Sequence, residues 1–225
     1  MEVRTPNDLS ELFDLIDSFD EVSSNFRGVS NEEYKLIPSI GRYKWYTGEN
    51  INSESERFML NRFRERVIAY GYGRLGEMES LMVAQHHGMY TRLLDWTRNP
   101  LIALYFAAWR EPNNNGSVYV YINSGFYLAD QIKDPFQINE TDVFRILPSY
   151  STRRIIAQSG LFTIHGNPYE EFKDSGILKI IIKSSIKEDI QRRLAKYGIN
   201  RESVFPDIDG MCAYINYDLL NIFES

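Results

Sequence analysis

Residues 101–109, Leu-Ile-Ala-Leu-Tyr-Phe-Ala-Ala-Trp, contain no charged side chain, and Asn99 and Pro100 stand directly before them. Asn at an N-cap and Pro in the first turn are start signals for a helix. A helix that is apolar on every side has to be central, covered by other elements all round. Its N-terminal partial positive charge points back at the preceding residues, where an anion is favoured. Those residues, 85–98, crowd His86, His87, Thr91, Arg92, Asp95, Trp96, Thr97 and Arg98 into a short span. They read as a polar loop docked on the buried helix, the usual construction of a pocket. A chain organised this way needs a core, and 225 residues supply one; length favours a single domain.

Composition narrows the partners. The net charge of −6 and pI near 5.2 argue against a broad phosphate-neutralising face, though a local basic groove stays open. No apolar run approaches the roughly 20 residues of a membrane span, and the N-terminus lacks a signal layout. The expectation is a cytoplasmic protein with no membrane contact. A single cysteine, Cys212, excludes an internal disulfide, and three histidines argue against a structural zinc site, so no metal is expected.

Along the chain, residues 5–19 read as a packing helix with Thr5 as N-cap, Pro6 in the first turn and Asp8 as a capping-box acid. Leu9, Leu12, Phe13, Ile16 and Phe19 give its apolar face. Residues 33–46 read as a loop, and residues 50–70 as a helix with a Ser53/Glu56 capping box and a stripe of Met59, Phe63, Val67 and Tyr70. Gly71-Tyr72-Gly73-Arg74-Leu75-Gly76 matches the G-x-G-x-x-G dinucleotide pattern, but it follows helix rather than strand, which makes it an interhelical turn. Strands are expected at 25–29, 117–123, 143–147, 161–165 and 177–183. Ser184 or Ser185 caps a helix bearing Ile186, Ile190, Leu194 and Tyr197 and stopped by Gly198, and a short helix ends the chain. Strands and helices mixed without βαβ regularity indicate α+β, one mixed sheet with packed helices.

Several residues carry candidate chemistry. Arg27, in Phe26-Arg27-Gly28, offers a planar fork to phosphate or carboxylate beside a glycine that admits close approach; the alternative is a surface arginine paired with a nearby acid. Asp95 is either a catalytic carboxylate or a group that caps backbone and pins Arg92 or Arg98. His86 and His87 are adjacent, so their rings diverge and do not chelate one metal; one of them is a candidate general base or a satisfied structural histidine.

Three segments together resemble the FRG domain family: Phe26-Arg27-Gly28; Gln85-His86-His87-Gly88 through Leu93-Leu94-Asp95-Trp96-Thr97 and Ala103-Leu104-Tyr105-Phe106-Ala107; and Gln158-Ser159-Gly160-Leu161-Phe162-Thr163. Val204-Phe205-Pro206-Asp207-Ile208-Asp209-Gly210 resembles a fourth element, so that the likeness covers roughly residues 20–215. The first two segments are also similar, more distantly, to mono-ADP-ribosyltransferases. That likeness implies NAD as substrate and no metal, with Arg27 and Gly28 at the pyrophosphate or ribose, Arg92 among the cofactor-binding residues, Trp96 or a nearby Tyr stacked on nicotinamide and Thr97 on the nicotinamide ribose. It implies a catalytic acid, for which Gln158 stands where a glutamate belongs, leaving Asp95 as the acid and His86 as the base. The expectations are an ADP-ribosyltransferase or NAD glycohydrolase in a bacterial toxin or phage-defence setting, with a protein or nucleic-acid acceptor. The alternatives are a non-catalytic nucleotide or anion sensor, and a nucleic-acid-directed toxin or nuclease.

Overall fold

Val, Ile and Tyr at alternate positions build strands because branched and aromatic side chains pack well on a pleated surface. The structure, a computed structural model, describes residues 1–44, 48–148 and 152–223. Eight strands form one mixed sheet: β1 Glu2–Arg4, β2 Ser24–Val29, β3 Leu93–Thr97, β4 Gly116–Ile122, β5 Tyr127–Leu128, β6 Val143–Leu147, β7 Gly160–His165 and β8 Ile177–Ile182. Their order is β1-β8-β4-β2-β3-β7-β6-β5. The pairs β1/β8 and β5/β6 are parallel and the others antiparallel. The α+β architecture expected from the sequence is the one observed.

Helices cover one face in two groups. Helices α1 Leu9–Asp17, α5 Pro100–Ala108 and α7 Lys187–Lys196 pack on Phe26, Val118, Val120 and Ile180. Helices α3 Ser53–Val67 and α4 Glu77–His86, with α6 Arg153–Ala157, pack on Leu93, Ile146, Phe162 and Ile164. The opposite face, carrying Leu94, Trp96, Tyr119 and Tyr121, is closed by Leu36 and Phe172. Short helices α2 Ser39–Arg42 and α8 Arg201–Val204 and the terminal α9 Ile208–Phe223 complete the chain.

The sheet has one weak seam. Strands β2 and β4 share six register pairs and β3 and β7 share five, but β2 and β3 meet only at Phe26 and Thr97. Helix α5 begins at this seam, capped as expected by Asn99, whose side chain accepts from the Leu101 N–H. Six of its nine residues are buried, as an all-apolar helix requires.

Some local expectations are corrected. Residues 93–97 form a central strand and not a loop; Asp95 and Thr97 hide the pattern because β3 is buried through its neighbours on both faces. Helix α1 starts at Leu9, with Asp8 itself as the N-cap in extended backbone and accepting from the Glu11 N–H, so Thr5 and Pro6 stay outside. Helix α3 is capped by Asn52, and its buried face runs through Glu56, Leu60 and Val67, leaving Tyr70 exposed. Helix α7 starts at Lys187, one or two residues later than expected, with Ile186 and not a serine at its N-cap, after a tight turn at residues 184–186. Residues 39–42 of the expected loop are helical, and positions 45 and 46 lie outside the described residues. The last helix is long, at 16 residues. The Gly71–Gly76 segment is the interhelical turn, with Gly71 left-handed at φ 87° and Gly76 capping α4.

Candidate functional site

At the seam between β2 and β3 lies a cavity of about 250 Å³, between the two helix-covered cores. Its walls combine Arg27 from β2, Asp95 and Thr97 from β3, His86 from the end of α4, and Arg154 and Gln158 from α6 and the turn after it. The missing ladder is what admits these groups. Arg27 Nη1 donates at 2.7 Å to the Asp95 main-chain carbonyl and stands 3.6 Å from the Asp95 carboxylate. A side chain thus bridges where a neighbouring strand would have paired.

Asp95 is held from a second side. Gln85 Nε2 donates to Asp95 Oδ2 at 2.9 Å, while Gln85 Oε1 accepts from the Thr91 hydroxyl. The carboxylate is 58% exposed, so it is oriented without being consumed by a buried ion pair. Of the two roles open to Asp95, pinning Arg92 or Arg98 is not the arrangement found. Burial lowers the His86 imidazole to about 4, helped by the charge of Arg154 and by His87 and opposed by Asp207 and Asp95. At neutral pH that ring carries no charge and can accept a proton. Burial also lowers the Arg154 guanidinium, against the pull of Asp95 and Asp207.

Other expected residues sit elsewhere or are already engaged. Arg92 does not face the cavity: it is 1% exposed and bonds the buried Glu56 carboxylate through its backbone N–H, Nε and Nη2. An arginine this deep requires a buried acid, and α3 supplies it. The Trp96 indole lies in the opposite-face core beside Tyr121, and its N–H donates to Thr163 Oγ1, so only the strand around it reaches the cavity and the ring is not a stacking platform. Gly28 serves the fold: a β-carbon there would lie 1.8 Å from the Ala103 carbonyl oxygen of α5. The close approach expected at this glycine is made by a helix. The Thr97 hydroxyl donates to the Gln158 carbonyl at 2.6 Å and accepts from the Asn99 N–H, tying β3, the turn after α6 and the start of α5 together. Gln158 Nε2 donates to the Val204 carbonyl, and the turn is set by Ser159 at φ 47°. The rings of His86 and His87 do not diverge; their centroids are 4.6 Å apart, and Tyr72 Oη lies 3.0 Å from His87 Nε2. Among the described residues no group of three or more His, Cys, Asp or Glu side chains is placed to hold a metal.

Residues 23–116 match the family model described as FRG domain. Over this span, which is less than half of the chain, the sequence is similar to an FRG domain. No curated protein and no solved structure matches it. The FRG span carries Phe26-Arg27-Gly28, α4, β3 and α5, hence Arg27, His86, Asp95 and Thr97. Arg154 and Gln158 close the cavity from beyond it, through α6, whose side is braced by the Val204–Phe205 segment. Gln85 and Arg154 are the residues that sequence reading passed over. Gln85 stands ten positions from Asp95 with a helix end between them, and Arg154 is one of two adjacent arginines, so spacing gave neither away. No helix among the described residues is long and apolar enough to cross a membrane.

Proposed function

We propose that the cavity binds NAD and that the protein cleaves its nicotinamide–ribose bond, as an ADP-ribosyltransferase or an NAD glycohydrolase. The observation that carries this reading is the convergence of Arg27, Asp95, His86 and Gln158 on one cavity at the β2/β3 seam. A space of about 250 Å³ lies just below the roughly 300–1,000 Å³ of small-molecule sites, so it takes the reacting half of the dinucleotide and leaves the adenosine half at the mouth. Arg27 faces the phosphates. As nicotinamide departs with the bonding pair, positive charge grows at the anomeric carbon, and the oriented Asp95 carboxylate stabilises it. The acceptor oxygen attacks that carbon and gives its proton to the neutral His86 ring.

A second reading, a nucleotide sensor without turnover, is favoured by one feature. The residue in the expected acid position is the neutral Gln158, with its amide engaged by Val204.

Nicotinamide release from NAD separates the two. The enzyme reading expects turnover that falls about 100-fold or more in Arg27→Ala and in Asp95→Asn. Tight NAD binding by calorimetry without release supports the sensor, and no NAD binding at all removes both.

A further inference from the structure

Arg154 is the one guanidinium of the cavity wall that has neither a hydrogen-bond nor an ion-pair partner among the described residues. The other arginine of the cavity wall, Arg27, bonds Asp95, whereas the Arg154 guanidinium sits 4.6 Å above the Phe205 ring. An aromatic face holds a cation in place without neutralising it. Two carboxylates, Asp95 and Asp207, are near enough for their charge to be felt, but neither lies within ion-pair distance; Asp207 Oδ1 instead accepts from the Gly210 N–H at 2.7 Å. A half-buried cation left in this state is an unmet demand for an anion. Arg27, from β2, repeats the demand in the same cavity, because its buried Nε has no acceptor.

We infer that Arg154 and Arg27 form a two-pronged site for a pyrophosphate group, with Arg154 as the prong that selects ligands carrying more than one phosphate. The inference rests on the NAD reading only for the identity of the natural ligand; the anion site stands on its own geometry. The seat on Phe205 also gives the Val204–Phe205 segment a purpose, since it fixes both the Gln158 amide and the Arg154 guanidinium. Two forks lining one cavity, from β2 and from α6, can give a pyrophosphate bidentate, charge-assisted hydrogen bonds that a lysine's point charge does not reproduce.

The test is calorimetric titration of the full chain with inorganic pyrophosphate, ADP-ribose, NAD and nicotinamide riboside, which has no phosphate. In Arg154→Gln, pyrophosphate and ADP-ribose are expected to bind about 10- to 100-fold more weakly, the worth of one charged hydrogen-bonding group. Nicotinamide riboside, if it binds, is expected to be unaffected. Arg154→Lys keeps the charge and loses the fork, so it is expected to recover only part of the loss, and it carries the test if the Gln variant melts early. Failure of the wild type to bind pyrophosphate, or equal pyrophosphate affinity in wild type and both variants, overturns the site. Arg154-dependent pyrophosphate binding without NAD binding upholds the site and removes the NAD reading. NAD binding that ignores Arg154 does the reverse.

Discussion

Glu56 and Arg92 are the most deeply buried charged pair described in the protein, at 0% and 1% side-chain exposure and 2.8 Å apart. Burial pushes the Glu56 carboxyl up, and the Arg92 charge and hydrogen bonds oppose that push. The pair also recruits Ser53, whose hydroxyl accepts from Arg92 Nη2, so the first turn of α3 is fastened to the entry of β3. Removing one partner strands the other charge in the core. Glu56→Gln or Arg92→Met is therefore expected to lower unfolding free energy by about 3–5 kcal/mol. The Glu56→Gln/Arg92→Met double variant is expected to lose less than the two single changes together, because no lone charge remains. Urea denaturation of the four proteins checks this; strictly additive losses would show that the pair is not coupled. Read alone, Arg92 looked like a ligand contact because it lies in the motif with Asp95. Only the three-dimensional meeting with Glu56, 36 positions earlier, reveals its part.

The element that decides the layout is α5, and its seat is made by glycines. Both Gly28 in β2 and Gly116 in β4 face its backbone, where added β-carbons would meet the Ala103 and Ala107 carbonyl oxygens at 1.8 and 2.2 Å. Gly28→Ala is expected to lose at least about 3 kcal/mol, since the clash is with main chain that has nowhere to move. A Gly28→Ala protein whose denaturation midpoint matches the wild type would mean that α5 is not seated on β2. This helix was legible in advance, because the Asn99-Pro100 start and an uncharged run are local signals, and so were β4, β6, β7 and β8. Strand β3 was not. Its alternation mixes Asp95 and Thr97 with Leu93 on one face, and β3 is held in the sheet chiefly by pairing with β7, 63 to 71 positions away. The site was legible to the same extent: Arg27 and Asp95 carry their chemistry in their identity, while Gln85 and Arg154 acquire theirs from folding.

Across the whole molecule, the site and the core behind it both depend on imidazoles kept neutral. Burial holds His165 down to about 3, with the charges of Arg27 and Arg92 acting the same way; its Nε2 lies 2.9 Å from Thr163 Oγ1, which in turn accepts from the Trp96 indole. His86, at about 4, does the same at the cavity. An unfolded histidine titrates near 6.5, so below that pH the unfolded chain takes up protons that the native protein refuses. Stability is therefore greatest above about pH 6.5 and falls as pH drops toward the folded values, by about 2 kcal/mol at pH 5 for each group. Glu56 works in the opposite sense, because a raised carboxyl binds its proton more tightly when folded, and comparison of variants removes that contribution. His165→Asn is expected to be less stable than the wild type at pH 7 yet to lose less on going to pH 5, with the two thermal midpoints drawing together. Parallel loss in both proteins across that interval would mean that His165 takes up its proton in the fold over the same pH range as in the unfolded chain, and the Trp96–Thr163–His165 chain would then not keep the ring neutral.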